Sequence, residues 1–386
     1  MADIAGLKAR IVHAAADIDA AAWDACAGTI NPFTTHAFIN ALETSGSATA
    51  RTGWQPAHIV LETEAGDIEG IMPAYAKSHS QGEYVFDHNW ADAYERAGGR
   101  YYPKLQCAVP FTPATGPRLL ARTPEAARAL ISTAEGLARA NDLSSIHATF
   151  LTPEEQVLFR EAGWLMRSSE QFHWFNQNYT SFDDFLGQLA SAKRKNIRKE
   201  RARAIEGLDI VHLQGPAITE ADWDAFWVFY QDTGMRKWGR PYLTRSFFST
   251  VGETMGDRVL LMLAKRDGQP IAGALNFIGE DCLYGRYWGC TEHVPGLHFE
   301  LCYYQAIEWA IAHGRPRVEA GAQGAHKLAR GYRPVATISA HYIPNAGFSS
   351  AIADFVAREA RMIDADIEAL DMATPFRRGS PPRPQG

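Results

Sequence analysis

The chain has 386 residues, of which 46% are hydrophobic and 21% charged, enough apolar side chain for a sizeable core and enough length for two domains. Its formal net charge of -6 excludes a generic polyanion binder, so any nucleic-acid contact must come from a local patch. No run approaches the roughly 20 apolar residues of a membrane span. Asp3, Asp17 and Asp19 occupy the start in place of a basic leader, and five cysteines include no C-x-x-C pair, so a reducing cytoplasmic location is expected.

In chain order, 11–45 reads as two short helices around Asn31-Pro32, and 57–62 and 68–75 as strands around Ala65-Gly66-Asp67. Residues 78–118 are irregular and rich in Gly, Pro and aromatics. Thr123 caps a helix to Ala140 with Pro124 in its first turn, 145–150 is a strand, and 153–162 a helix. A second unit begins near Gln171. It opens with a long helix over 181–205, whose apolar positions Phe182, Phe185, Leu186, Leu189, Ile197 and Ile205 fall at helical spacing. A helix over 219–230 follows. Strands at 259–264, 271–277 and 282–287 come next, the first two joined at Asp267-Gly268. A helix over 298–312 stops at Gly314, a strand starts at Arg317, and a last helix covers 351–369. The expected division is 1–168, 169–372 and a tail, 373–386, disordered by composition. The fold class is mixed α/β, with antiparallel and mixed sheets flanked by helices.

Three antiparallel strands, a helix and a strand, in that order, resemble the core of the GNAT acyltransferase fold. The helix that follows the third strand presents free backbone N–H groups, suited to a phosphate or a developing oxyanion.

Several strings carry a closer resemblance. They include Ser181-Phe182-Asp183-Asp184-Phe185-Leu186, the basic run Lys193-Arg194-Lys195-Asn196-Ile197-Arg198-Lys199-Glu200-Arg201, and Leu283-Tyr284-Gly285-Arg286-Tyr287-Trp288-Gly289. They also include His298-Phe299-Glu300-Leu301 and Glu319-Ala320-Gly321-Ala322-Gln323-Gly324. Together they resemble a bacterial family of predicted N-acyltransferases, itself similar to the Fem-type peptidyltransferases. Those enzymes move amino acids from aminoacyl-tRNA to peptidoglycan precursors. The resemblance implies two tandem GNAT-like halves and an N-acyl transfer to an amine acceptor, from an acyl-CoA or an aminoacyl-tRNA and with no further cofactor. It also implies that Lys327 stabilises the tetrahedral intermediate, although Arg330-Gly331 stands where Fem-type enzymes have an aromatic-Gly pair. The rival function is a non-catalytic adaptor that holds a peptide or glycan.

The residues themselves supply the candidates. Glu300 and Glu319 are the first choices for the base that deprotonates an amine, with His298 and His326 behind them. Either carboxylate is a base, or it is a structural partner of Arg286, Arg330 or Arg333. Tyr284, Arg286, Tyr287, Trp288, Gln323 and Arg330 are candidate substrate contacts. In the first half His79, Asp87, Trp90, Tyr102 and Lys104 lie in apparent loops and, with Lys77, are candidates for the acceptor side. The loop Thr291-Glu292-His293-Val294-Pro295-Gly296-Leu297 has one glycine, unlike the glycine-rich grip on a coenzyme A pyrophosphate. Lys193, Arg194, Lys195, Arg198 and Lys199 form either a solvated helix face or a contact for tRNA or another phosphate ligand. Cys290, His293, His298 and Cys302 are zinc-type ligands, but too closely spaced for a zinc finger, and no metal is expected.

Overall fold

The computed structural model describes residues 6–238, 241–321 and 324–377. The chain forms two compact units, Met1–Ser169 with Ala336–Asp364, and Glu170–Val335 with Ala365–Gly386. Where contiguous halves were expected, the segment Ala336–Asp364 groups with the first unit.

The first unit contains β1 (Lys8–Val12), β2 (Trp54–Pro56), β3 (His58–Glu62), β4 (Ile68–Met72), β5 (Ala74–Lys77), β6 (Lys104–Cys107), β7 (Leu120–Ala121) and β8 (Ile146–Ala148). β1-β3-β4-β7 form one antiparallel sheet. In the other, β5 runs antiparallel to β2 and β6, and β6 parallel to β8. A parallel neighbour requires a crossover, and the helix Pro124–Ala140 lies in it. Thr123 caps that helix by accepting from the Ala126 N–H, as its sequence predicts. Its apolar face, including Leu130, Ile131 and Ala134, packs with Ile59, Leu61, Met72 and Leu105 in one core.

The second unit contains β10 (Asp209–Gln214), β11 (Val259–Arg266), β12 (Gln269–Ile278), β13 (Cys282–Cys290) and β14 (Arg317–Glu319), with β9 (Leu165–Phe175) from Glu170 onward, while β15 (Arg333–Tyr342) belongs to the first unit from Ala336 onward. β10-β11-β12-β13 are antiparallel, β14 is parallel to β13, and β9 is antiparallel to β14. Asp267 and Gly268 both take positive φ, 49° and 77°, as a two-residue hairpin turn requires. Between β13 and β14 runs a helix that is α over Leu297–Phe299, a π turn over Glu300–Tyr304, and α again over Gln305–Ala312.

Both units therefore repeat one plan: antiparallel strands, a helical crossover, a parallel strand. The first unit takes the strand beside β8 from the far end of the sequence. β9 follows β8 in the chain but pairs with β14, and the end of β15, Ala340–Tyr342, pairs with β8. These are tandem GNAT-like domains.

Four expectations about elements change. The single helix over 181–205 is two, Phe182–Gly187 and Ser191–Ala204. The break falls at buried Leu189, which bridges Phe376. The Ala190 N–H donates to Pro375 O at 2.9 Å and the Arg377 N–H to Gln188 O at 2.9 Å. Residues 373–377, expected to be disordered, are thus held by backbone pairing, while 378–386 lie outside the described residues. The irregular stretch holds a helix, His88–Arg96, and the last helix extends over Ala346–Met372. Among the described residues no helix is long and apolar enough to cross a membrane.

Candidate functional site

The second unit has a fork in its sheet. β13 and β14 pair over three positions only, ending at Tyr284↔Glu319. Beyond that point β13 continues against β12 to Cys290, whereas the other chain turns off at Gly321, with φ 75°. At the fork the β12–β13 register slips, from Asn276↔Gly285 to Leu275↔Tyr287. Arg286 is the extra residue, and a bulge of this kind re-aims a side chain. Gly285 belongs there because a Cβ would lie 3.3 Å from Asn276 Oδ1 and 3.5 Å from Glu319 O.

Glu319 ends β14 and is buried. Burial pushes its carboxyl up to about 7, against the pull of Arg317. The Arg317 Nε lies 3.4 Å from Oε1, and His173 Nδ1 of β9 lies 3.9 Å from the same atom. Lys327 is also buried, and its Nζ donates to Gly321 O at 2.7 Å. Burial draws its ammonium down to about 7, and Arg286 presses in the same direction. Arg286 acts electrostatically on Glu319 and, separately, on Lys327. A carboxylate and an ammonium, each titrating near neutrality, suit proton transfer.

The other sequence candidates divide. Glu300 accepts from Arg201 Nε at 3.0 Å and Nη2 at 2.8 Å, and from Gln305 at 2.7 Å. It is a structural carboxylate and not the expected base, because the helix Ser191–Ala204 turns Arg201 inward, over the Phe182 ring. Arg330, expected at the substrate, stacks 3.5 Å over Phe299 and donates to Glu200 at 2.8 Å and to His326 O at 2.8 Å. It clamps the turn that carries Lys327. His326 Nε2 pairs with Tyr303 OH at 2.8 Å. The His298 ring meets Trp288 edge-on at 5.3 Å and Tyr303 at 5.4 Å. Tyr284 is buried, and Tyr287 packs on Tyr230 at 5.4 Å. Gln323 lies outside the described residues.

In the first unit Lys104 lies on β6 and not in a loop, and Lys77 lies on β5. They face each other across β5 and β6 in register and are buried. Lys104 donates to Ser80 at 2.8 Å, Glu83 at 2.7 Å and Asp87 at 2.5 Å. Lys77 lies 3.6 Å over Trp54 and donates to Gln81 O. Burial favours the neutral state of Asp87, but Lys104 and then His147 override it and hold its carboxyl well below the usual range. Trp90 is buried against His341. Tyr102 OH pairs with Ser80 at 2.8 Å, and His79 with Thr52 O at 3.1 Å. Lys77, Asp87, Trp90 and Lys104 are therefore a sealed network and not an acceptor-facing surface. Lys104→Ala would leave Glu83 and Asp87 buried without their cation, a loss of about 3–5 kcal/mol. A large fall in the urea midpoint is expected; an unchanged midpoint would contradict the network.

Lys193, Lys195, Arg198 and Lys199 are exposed on one helix and Arg194 is half-buried, with Arg198 paired to Asp183 at 2.8 Å. Sequence reasoning missed Arg317 and His173. Arg317 was legible, since residues two apart on a strand share a face. His173 was not, because the strand that carries it was unrecognised.

The chain matches the FemAB-like family, described as peptidoglycan biosynthesis and recognition, over residues 14–378, and so belongs to that family. Among solved structures it is similar to FemX, at 13% identity over 89% of this chain and 100% of that one, with a TM-score of 0.53. It is also similar to L-PGS from Bacillus licheniformis, at 11% identity over 86% and 97%, with a TM-score of 0.50. No curated protein sequence matches it.

Proposed function

We propose that the chain is an N-acyltransferase that moves an aminoacyl group from an aminoacyl-tRNA to an amine on a peptidoglycan-type acceptor. The observation that carries this reading is the buried Glu319 at the fork, beside Arg286 and Lys327. The acceptor's neutral amine attacks the ester carbonyl, and Glu319 takes the proton that its nitrogen loses on addition. Lys327 and Arg286 stabilise the tetrahedral oxyanion, where fixed charges act most strongly on rate. Collapse breaks the ester bond, and the departing ribose oxygen takes a proton from Glu319. No cofactor beyond the donor is needed.

Two features favour tRNA over coenzyme A as donor. The start of the helix at Leu297, where a pyrophosphate grip would form, is covered on one side by the helix Ser191–Ala204: a Cβ on Gly296 would be in van der Waals contact with Ala204 Cβ at 3.4 Å and Glu200 Cγ at 3.5 Å. The helix that covers it exposes Lys193, Lys195, Arg198 and Lys199 outward, and such a basic face neutralises phosphates without reading sequence. A tRNA donor places the reaction in the cytoplasm.

Equilibrium binding at two salt concentrations is the test. The expected result is tRNA binding that weakens steeply with salt and is lost on replacing Lys195 and Lys199 with Glu. Tight coenzyme A binding without salt-sensitive tRNA binding would overturn the donor. Binding of peptide or glycan with no transfer would favour an adaptor.

A further inference from the structure

Glu319 has a cation beside it that does not close on it. Arg317 and Glu319 are two residues apart on β14 and share a face. The guanidinium reaches the carboxylate with Nε at 3.4 Å, too long for a tight hydrogen bond, whereas its Nη2 donates to Asp281 Oδ2 at 3.1 Å. Asp281 sits in the turn before β13, half-exposed, and Arg317 is paired across the strands with Cys282, the next residue. A full fork-on-carboxylate pair with Arg317 would hold Glu319 ionised and make it a poor proton acceptor.

Resting on the base role given to Glu319, we propose that Asp281 is a positioning residue. By engaging the end of the Arg317 guanidinium it keeps that cation from pairing fully with Glu319, and so preserves the carboxylate as a base.

The charged and titratable groups facing Glu319 are few enough to separate. Arg317 comes from its own strand, Tyr284 and Arg286 from β13, Cys282 and Asp281 from the start of β13 and its turn, and His173 from β9. Asp281 acts on the carboxyl in the raising direction and Arg317 in the lowering one. The two neighbours should therefore move Glu319 in opposite senses, which loss of packing would not do.

The experiment is a carbon-13 NMR titration of the Glu319 carboxyl in full-length protein labelled at glutamate, assigned by its loss in Glu319→Gln. Asp281→Asn is isosteric and sits in a half-exposed turn. It should lower the Glu319 midpoint by about one pH unit, and Arg317→Gln should raise it by about as much. In the Arg317→Gln background, Asp281→Asn should give less than half the shift it gives alone, because its effect runs through Arg317. An unchanged midpoint in Asp281→Asn, or an equal shift in both backgrounds, would overturn the proposal. The acid limb of kcat in the same variants tests the separate reading. Midpoints that move as stated while the acid limb stays fixed would remove Glu319 from the chemistry but leave the Asp281–Arg317 relation standing.

Discussion

Lys327→Ala is expected to lower kcat by on the order of 100–1000-fold, the usual loss when one oxyanion donor is removed. A cation that meets charge developing on the carbonyl oxygen stabilises the transition state more than the bound substrate, so the loss falls on kcat more than on KM. The fold supports this placement. Lys327 is buried beside the fork, its Nζ 2.7 Å from the carbonyl of Gly321, two residues beyond Glu319. A surface lysine is thereby excluded, and the remaining rival is a tether for the Gly321 turn. A tether would show as a lower melting temperature with normal turnover in the folded fraction. Lys327→Met, which keeps most of the packing, separates the two. Arg330 cannot take over for Lys327, being held by Glu200 and Phe299. Arg286 is the cation placed to do so, and Lys327→Met with Arg286→Met should lose more than Lys327→Met alone. Full turnover in that double variant would remove this pair from the mechanism.

The second large effect concerns pH. Glu319 must be ionised to accept a proton, and burial raises its titration to about 7. Lys327 must be charged to meet the oxyanion, and burial lowers its titration to about 7. The base form of Glu319 grows as pH rises through 7 and the charged form of Lys327 disappears over the same interval. The kcat profile should therefore be a narrow bell centred near neutrality. Glu319→Gln should cut kcat by roughly 100-fold or more, the scale of general-base loss, and abolish the acid limb. Lys327→Met should abolish the alkaline limb. The same titrations act on stability. A carboxyl raised in the folded state is stabilised when protonated, so Glu319 favours folding at low pH and costs stability as pH rises above its unfolded value. Glu319→Gln should accordingly stabilise the fold at alkaline pH, and an unchanged melting temperature there would argue that the carboxylate finds a compensating partner.

The second unit was largely legible because its strands are short, mostly apolar runs, its turn is Asp-Gly and its crossover helix ends at Gly314. Those signals are local. What was illegible depends on partners far away in the chain. The pairing of β9 with β14 and of β15 with β8 leaves no local mark, since each joins strands far apart in the chain. The break between Phe182–Gly187 and Ser191–Ala204 arises because Leu189 pairs with Phe376, and apolar spacing alone reads straight through it. Glu300 and Glu319 looked alike as carboxylates at converging ends. They differ because Arg201 hydrogen-bonds one of them bidentately, while Arg317 Nε stands 3.4 Å from the other. Lys104 looked like a loop cation, and only the strand pairing with Lys77 and the enclosure by Glu83 and Asp87 show it to be interior.

The central claim is that transfer runs at the fork with Glu319 as base. It is tested most directly by single-turnover transfer from radiolabelled aminoacyl-tRNA to an amine acceptor, with wild type and Glu319→Gln compared across neutral pH. A bell-shaped wild-type rate near pH 7 and a slow variant without an acid limb are expected. A variant that transfers at the wild-type rate with the same acid limb would contradict the claim.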